Sequence, residues 1–402
     1  MKKLISVMLL LLFTVPCLRA QRKEMSQARS YIKSGKDFDK AEKLMTDLLA
    51  KDSASRQNPK VYLLWYQAVQ RQYDAGNEKL YLNQKYDTAS IFSLTRRMFA
   101  ILETLDSLDA APDNHGRSKP EYRRRHAELL NTYRPNLYFG GTYYIRKNDF
   151  AKAYDFFDTY LDCAVQPLFA GYRYDEHDRR MPEAAYWATF CGYKTGMPEQ
   201  TLKYADLARR DSAHLRFALR NITEAYISQK NEAGCVRTLQ EGFSKFPESL
   251  YFFPRLMDYY TTHNRLDSAL AVADQALASD PKSELFLFAK STVLLNQGKY
   301  ADCIALTDSL IQLCDTLSEP YFNVATAYLN QALALENGFD AKQNKKRILA
   351  FYSKAMPYME KYRVLAPGEK KKWAPALYKI YLNLNMGKQF DEIDKILNHM
   401  TN

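Results

Sequence analysis

The densest run of side chains able to do chemistry is Tyr174-Asp175-Glu176-His177-Asp178. Three carboxylates and an imidazole this close could ligate a cation. The run lacks the glycine-containing twelve-residue design of a helix–loop–helix calcium site, and it reads as a solvated loop. The other histidines, His115, His126, His214, His263 and His399, are dispersed and suggest no zinc cluster. No HExxH, GxSxG, GxGxxG or phosphate-loop pattern occurs. These residues nominate no catalytic group, no metal site and no cofactor, and the chain is expected not to be an enzyme.

A second concentration is aromatic. Tyr138, Phe139, Tyr143, Tyr144, Phe150, Tyr154, Phe156, Phe157 and Tyr160 fall within residues 133–160. Such rings could stack on sugars or on a partner. Helical spacing instead sets Phe150, Tyr154 and Phe157 on one face, and Gly140–Gly141 would let helices approach, so packing is the expectation. The basic runs Arg123–Arg125, Lys345–Arg347 and Lys370–Lys372 could meet nucleic acid. The rest of the formal charge of +11 is scattered. The runs read as solvated helix ends or loops, and no nucleic acid partner is expected. Beyond residue 20 the cysteines are Cys163, Cys191, Cys235, Cys303 and Cys314. An odd number without a CxxC pair predicts neither a disulfide framework nor structural zinc; a single disulfide stays open.

The elements that must position these residues follow a period of 34. Pro247 and Pro281 lie 34 residues apart, and unit starts fall at Pro182, Arg216, Leu250, Glu284 and Ser318. Small residues recur at the twentieth position: Thr201, Cys235, Ala269 and Cys303. They recur at the eighth in Thr189, Thr223, Ser291 and Ala325, with Met257 the exception. In Leu250–Ser283, Phe252, Phe253, Leu256 and Tyr260 mark a first helix. Leu266, Ala269, Leu270, Ala273 and Ala276 mark a second, and Pro281 stops it. A fixed period of this length predicts stacked helical hairpins, an architecture suited to binding. Ala153, Ala205, Ala269 and Ala276 are expected to be buried between helices.

Those residues resemble the tetratricopeptide repeat family, which favours small residues at positions 8, 20 and 27, glycine near 15 and proline at 32. The resemblance is densest over 182–317, fair over 134–167 and 318–402, and weak before 134. It implies an all-α, right-handed superhelical solenoid of antiparallel helix hairpins. The expected divisions are a signal peptide at 1–20, divergent hairpins at 21–165 and a connecting loop at 166–181. A regular array at 182–317 and C-terminal hairpins at 318–402, with an insertion near 337–346, complete them. Between Pro59 and Leu108 the helices look longer than the repeat allows. In this family the first helix of each hairpin lines a groove. Carried over, the lining is Tyr186, Phe190, Lys194, Arg220, Glu224, Arg255, Asp258, Phe288 and Phe322, with Thr292 and Thr326. Aromatics mixed with isolated charges suit an extended peptide or a partner helix. A terminal-carboxylate clamp built on Arg220, Asn221, Arg255 and Asn323 is opposed by Glu224 and Asp258 among them.

Residues 1–20 read as a secretory signal: Lys2 and Lys3, the apolar run Leu4–Val15, and Ala20 before the expected cut. Cys17 opens a lipid-anchored alternative, although Pro16 is a poor acylation context. No other apolar stretch could cross a bilayer. The signal, with glutamine directly after the cut, looks like exported proteins of Bacteroidota, which implies the periplasm. The expectation is a binding scaffold for a protein or peptide of the cell envelope. A glycan- or small-ligand-binding accessory protein and a structural subunit of an outer-membrane assembly are the alternatives.

Overall fold

The structure, a computed structural model, describes residues 21–113 and 115–401; the predicted signal segment with Cys17 lies outside them. Among the described residues every regular element is helical. The chain divides into two compact units, one through Asn231 and one from Glu232. The division falls inside the repeat Arg216–Ser249.

The first unit opens with α1 (21–34), α2 (Phe38–Lys51), α3 (Pro59–Tyr81) and α4 (Thr88–Asp109). It continues with α5 (Arg123–Arg146), α6 (Phe150–Asp162), the short α7 (Tyr174–His177) and α8 (Met181–Lys194). α9 (Pro198–Lys203), α10 (Ala205–Ala208) and α11 (Leu215–Ser228) end it. Helix starts follow from caps. Asn58 accepts from the Lys60 N–H with Pro59 at the first helical position, and Asp87 and Asp149 cap α4 and α6 in the same way. The long helices expected after Pro59 are present, at 23 and 22 residues for α3 and α4. Their apolar faces join one core running from Tyr62 to Ala218.

The second unit contains α12 (Glu232–Lys245), α13 (Phe252–Thr262), α14 (Leu266–Ser279) and α15 (Glu284–Asn296). α16 (Tyr300–Leu313), α17 (Ser318–Glu336), α18 (Lys345–Leu365), α19 (Lys370–Asn383) and α20 (Gly387–Thr401) complete it. The polar stretch after Glu336 separates α17 from α18, where the insertion is expected.

The 34-residue register is visible in the packing. Thr189, Thr223, Ser291 and Ala325 are buried, as are Thr201, Ala269 and Cys303, and Ala208, Gly242, Ala276 and Leu310. Ala153 and Ala205 are buried too. The hairpin turn repeats as well. Asn148, Gly196, Lys230, Asn264 and Gly298 all adopt left-handed backbone, with φ of 57, 68, 55, 54 and 74°. The next residue's N–H bonds the carbonyl five residues back, as in Met197 to Gly192 at 2.9 Å and Arg265 to Tyr260 at 2.7 Å. These hairpins define the class: the fold is that of tetratricopeptide-repeat proteins.

Two readings of the elements need correction. Segment 166–181 is not a plain loop. It holds a 3₁₀ helix, Pro167–Tyr172, and α7, because Leu168, Phe169 and Tyr174 are apolar enough to be drawn into the core. The expected second helix of the Pro182 unit is split at Tyr204, whose hydroxyl donates to Asp158 at 2.8 Å. All five cysteines among the described residues are free thiols.

Candidate functional site

Arg134 sits on the buried stripe of α5. Ala127, Leu130, Leu137 and Gly141 share that face at spacings of three and four, and a guanidinium among them is only 5% exposed. Its Nη1 donates to Asp178 Oδ2 at 2.7 Å, and its Nη2 to the Tyr160 carbonyl at 3.1 Å. The guanidinium carbon lies 3.8 and 3.7 Å from the ring centres of Tyr160 and Tyr174. The Tyr160 hydroxyl donates to the same Asp178 oxygen at 2.6 Å, and the Tyr174 hydroxyl donates to Asn131 at 2.6 Å. A buried charge needs such pairing to be tolerated. The cluster therefore pins segment 166–181 onto α5 and α6. Burial pushes the Asp178 carboxyl up, but hydrogen bonds from Tyr160, the Arg180 N–H and Arg134 outweigh it and hold the group below its ordinary range. Tyr174 and Asp178 are thus packed in, which corrects the solvated-loop reading for these two residues. No group of three or more His, Cys, Asp or Glu side chains could hold a metal ion among the described residues.

Above Arg134 opens a cavity of about 520 Å³ lined by Asn131, Tyr160, His177, Asp178, Arg179, Arg180 and Glu183, among others. Nearby, burial followed by repulsion from Asp162 raises Glu103 to about 7, and its Oε1 has no protein partner. Burial pushes the Cys163 thiol far up, so it is a packing group rather than a nucleophile. A second cavity of about 550 Å³ lies between α3 and α5, with Gln67, Gln70, Tyr122 and Arg125 in its wall. Tyr66 and His126 also line it, and the Tyr66 hydroxyl and His126 Nδ1 are buried without a protein partner. Burial lowers the His126 pKa, which keeps that ring neutral near pH 7. At the start of α5, Arg123 donates twice to the buried Asp106, at 2.8 Å each, so it is not part of a solvated helix end.

Of the predicted groove residues, Tyr186, Phe190, Lys194, Arg220 and Glu224 belong to the first unit. Tyr186 is buried, with its ring stacked on His214 at 4.4 Å, and so packs inside the unit instead of facing a partner. Phe190 is half-buried against Phe150 at 5.7 Å, and the Lys194 ammonium lies 5.5 Å from the Phe190 ring centre. Lys194 and Arg220 are exposed, and Glu224 is half-buried. Arg255, Asp258, Phe288 and Phe322 belong to the second unit. Arg255 and Asp258 are exposed; the Arg255 guanidinium stacks 4.0 Å from the Tyr251 ring centre. Phe288 and Phe322 are half-buried, the latter 5.1 Å from Tyr362. Thr292 accepts, with Ser291, from the buried Asn323 amide at 3.0 Å. That commits Asn323 to packing, away from any carboxylate clamp. Of the aromatic segment, Tyr138, Tyr144, Tyr154, Phe156, Phe157 and Tyr160 are buried, while Phe139 stays exposed.

Sequence reasoning missed Arg134, Glu103, His126 and Asp106. The available signal was a charged residue on an otherwise apolar helical stripe, which Arg134 shows.

No protein-family model matches the chain, and no curated protein matches it. Solved structures similar to it include the C-terminal part of a TPR repeat-containing protein from Cytophaga hutchinsonii. That match is 12% identical, with 64% of this chain and 93% of that one covered and a TM-score of 0.43. The Cut9–Hcn1 assembly of the APC/C is 12% identical over 96% of this chain and 90% of that one, with a TM-score of 0.34. The TPR domain of P58(IPK) is 12% identical over 91% and 98%, with a TM-score of 0.26. Likeness at this level carries no argument about activity or partner.

Proposed function

We propose that the chain is a non-catalytic binding scaffold that recognises a protein or peptide of the bacterial cell envelope through the first helices of its hairpins. One observation carries the reading. The register sorts side chains into two sets. Positions 8, 20 and 27 are buried with few exceptions, whereas eight of the nine carried-over groove residues keep exposed or half-buried side chains. Arginine is among the residue types that dominate binding energy at interfaces, and phenylalanine is enriched in them. Location in the periplasm rests on the signal-like residues 1–20. None of the described helices is long and apolar enough to cross a membrane.

Crosslinked capture from intact envelopes identifies the partner. Phe190→Ala or Arg255→Ala, each alone, is then expected to weaken its capture by at least about tenfold, some 1.4 kcal/mol, with helicity retained. Capture that survives both substitutions would show that these first-helix residues do not hold the partner.

A further inference from the structure

The cavity over Arg134 shares no lining residue with the proposed groove. We propose that it binds a small oxyanion, a phosphate or carboxylate group carried by a low-molecular-weight ligand. The volume of about 520 Å³ is in the range of small-molecule sites. Its charge is unbalanced in one direction. Asp178 is already committed to Arg134, to the Tyr160 hydroxyl and to the Arg180 N–H. Glu183 lines the cavity too, so three guanidinium groups meet two carboxylates there. Arg179 and Arg180 line the same cavity, are exposed, and form no ion pair among the described residues. The Arg180 guanidinium is pre-placed by the rings of Tyr138 and Phe139, at 5.0 and 5.8 Å. Arg134 also lines the cavity and adds its positive charge from below, with Nη1 held by Asp178 and Nη2 by the Tyr160 carbonyl. Planar guanidinium forks match the two-oxygen geometry of carboxylates and phosphates. A neutral ligand would use none of that charge.

The test is calorimetric titration of the mature chain with inorganic phosphate, citrate and glucose at low and high salt. Saturable, salt-weakened binding of phosphate or citrate is expected, with none for glucose. Phosphate binding by itself assigns a phosphate ligand, and citrate binding by itself a carboxylate. Arg179→Gln/Arg180→Gln should weaken it by roughly tenfold or more, the scale of lost charge-assisted hydrogen bonds. The control pair Lys345→Gln/Lys346→Gln should leave it unchanged. Should the arginine pair fail to fold, Arg179→Gln by itself serves. The proposal is overturned by absence of saturable anion binding, by equal binding of glucose, or by equal loss in the lysine control. The groove reading stands or falls separately, on Phe190 and Arg255.

Discussion

Residues 123–181 and residues 250–317 solve one packing problem by different means. In the second stretch, helices approach because Ala269, Ala273, Ala276, Ser291 and Cys303 are small and buried. In the first, the gap is filled by rings, among them Tyr138, Phe157, Tyr160, Phe169 and Tyr174, with the guanidinium of Arg134 between two of them. Small residues close an interface with few polar atoms to satisfy; the Ser291 hydroxyl is one, and it bonds the Phe288 carbonyl and the Asn323 amide. Tyrosines and a buried arginine bring polar atoms inside, and each must then find a partner. The first arrangement therefore carries the perturbed Asp178 carboxyl and a polar cavity, and its Asp162 repels Glu103 of α4, while the second carries a plain repeat. Chemistry accumulates where the repeat is irregular.

The comparison is broken most severely at Arg134. Arg134→Ala leaves the half-buried Asp178 without its cation, and the expected loss is about 3 kcal/mol in urea denaturation, the lower end of the cost of breaking a buried pair because the Tyr160 hydroxyl and the Arg180 N–H still bond the carboxylate. A loss under about 1 kcal/mol would mean that the tyrosines hold segment 166–181 by themselves. Acid titration of the wild-type chain adds a second readout. The depressed Asp178 carboxyl contributes stability above its ordinary 3.8, and that contribution is lost as pH falls through the depressed value.

Glu103 acts in the opposite sense. Its folded pKa is raised from 4.5 to about 7, so proton uptake favours the folded state. Stability on this account rises as pH falls from about 7 to 4.5 and is lost as pH rises through 7. Glu103→Gln should flatten that slope and raise stability above pH 7, by at most roughly 3 kcal/mol. An unchanged pH profile would show that the group is hydrated when charged.

In the regular stretch the sharpest probe is Ala269→Leu. The added volume has no room between packed helices, and a loss of roughly 1–3 kcal/mol is expected in the denaturation midpoint. If Ala269→Leu were neutral, small residues would not be what closes the repeat, and the contrast with the aromatic stretch would fail.

Much of the fold was readable in advance because a repeat is a local pattern. The spacing of Thr201, Ala269 and Cys303, the long helices after Pro59 and the insertion after Glu336 all follow from residues close in the chain. The turn was half readable. Gly196 and Gly298 signal a left-handed residue, whereas Lys230 adopts the same conformation with no sign in its side chain, held there by the hairpin it closes. Of the groove, Tyr186 was misplaced because the same first-helix position faces solvent or a neighbouring ring according to what packs beside it. Here that neighbour is His214.

Periodicity along the chain was therefore enough to establish helical hairpins, their register and the residues buried between them, since each hairpin buries its own stripe on the next. It could not establish which charges meet. Arg134 and Asp178 are 44 positions apart and Arg123 and Asp106 are 17 apart, each pair bridging separate helices or loops. Their pairing, the height of the Glu103 pKa and the cavity between Arg134 and Arg180 depend on how side chains from distant segments exclude water together. That property belongs to the packed chain and has no period to read.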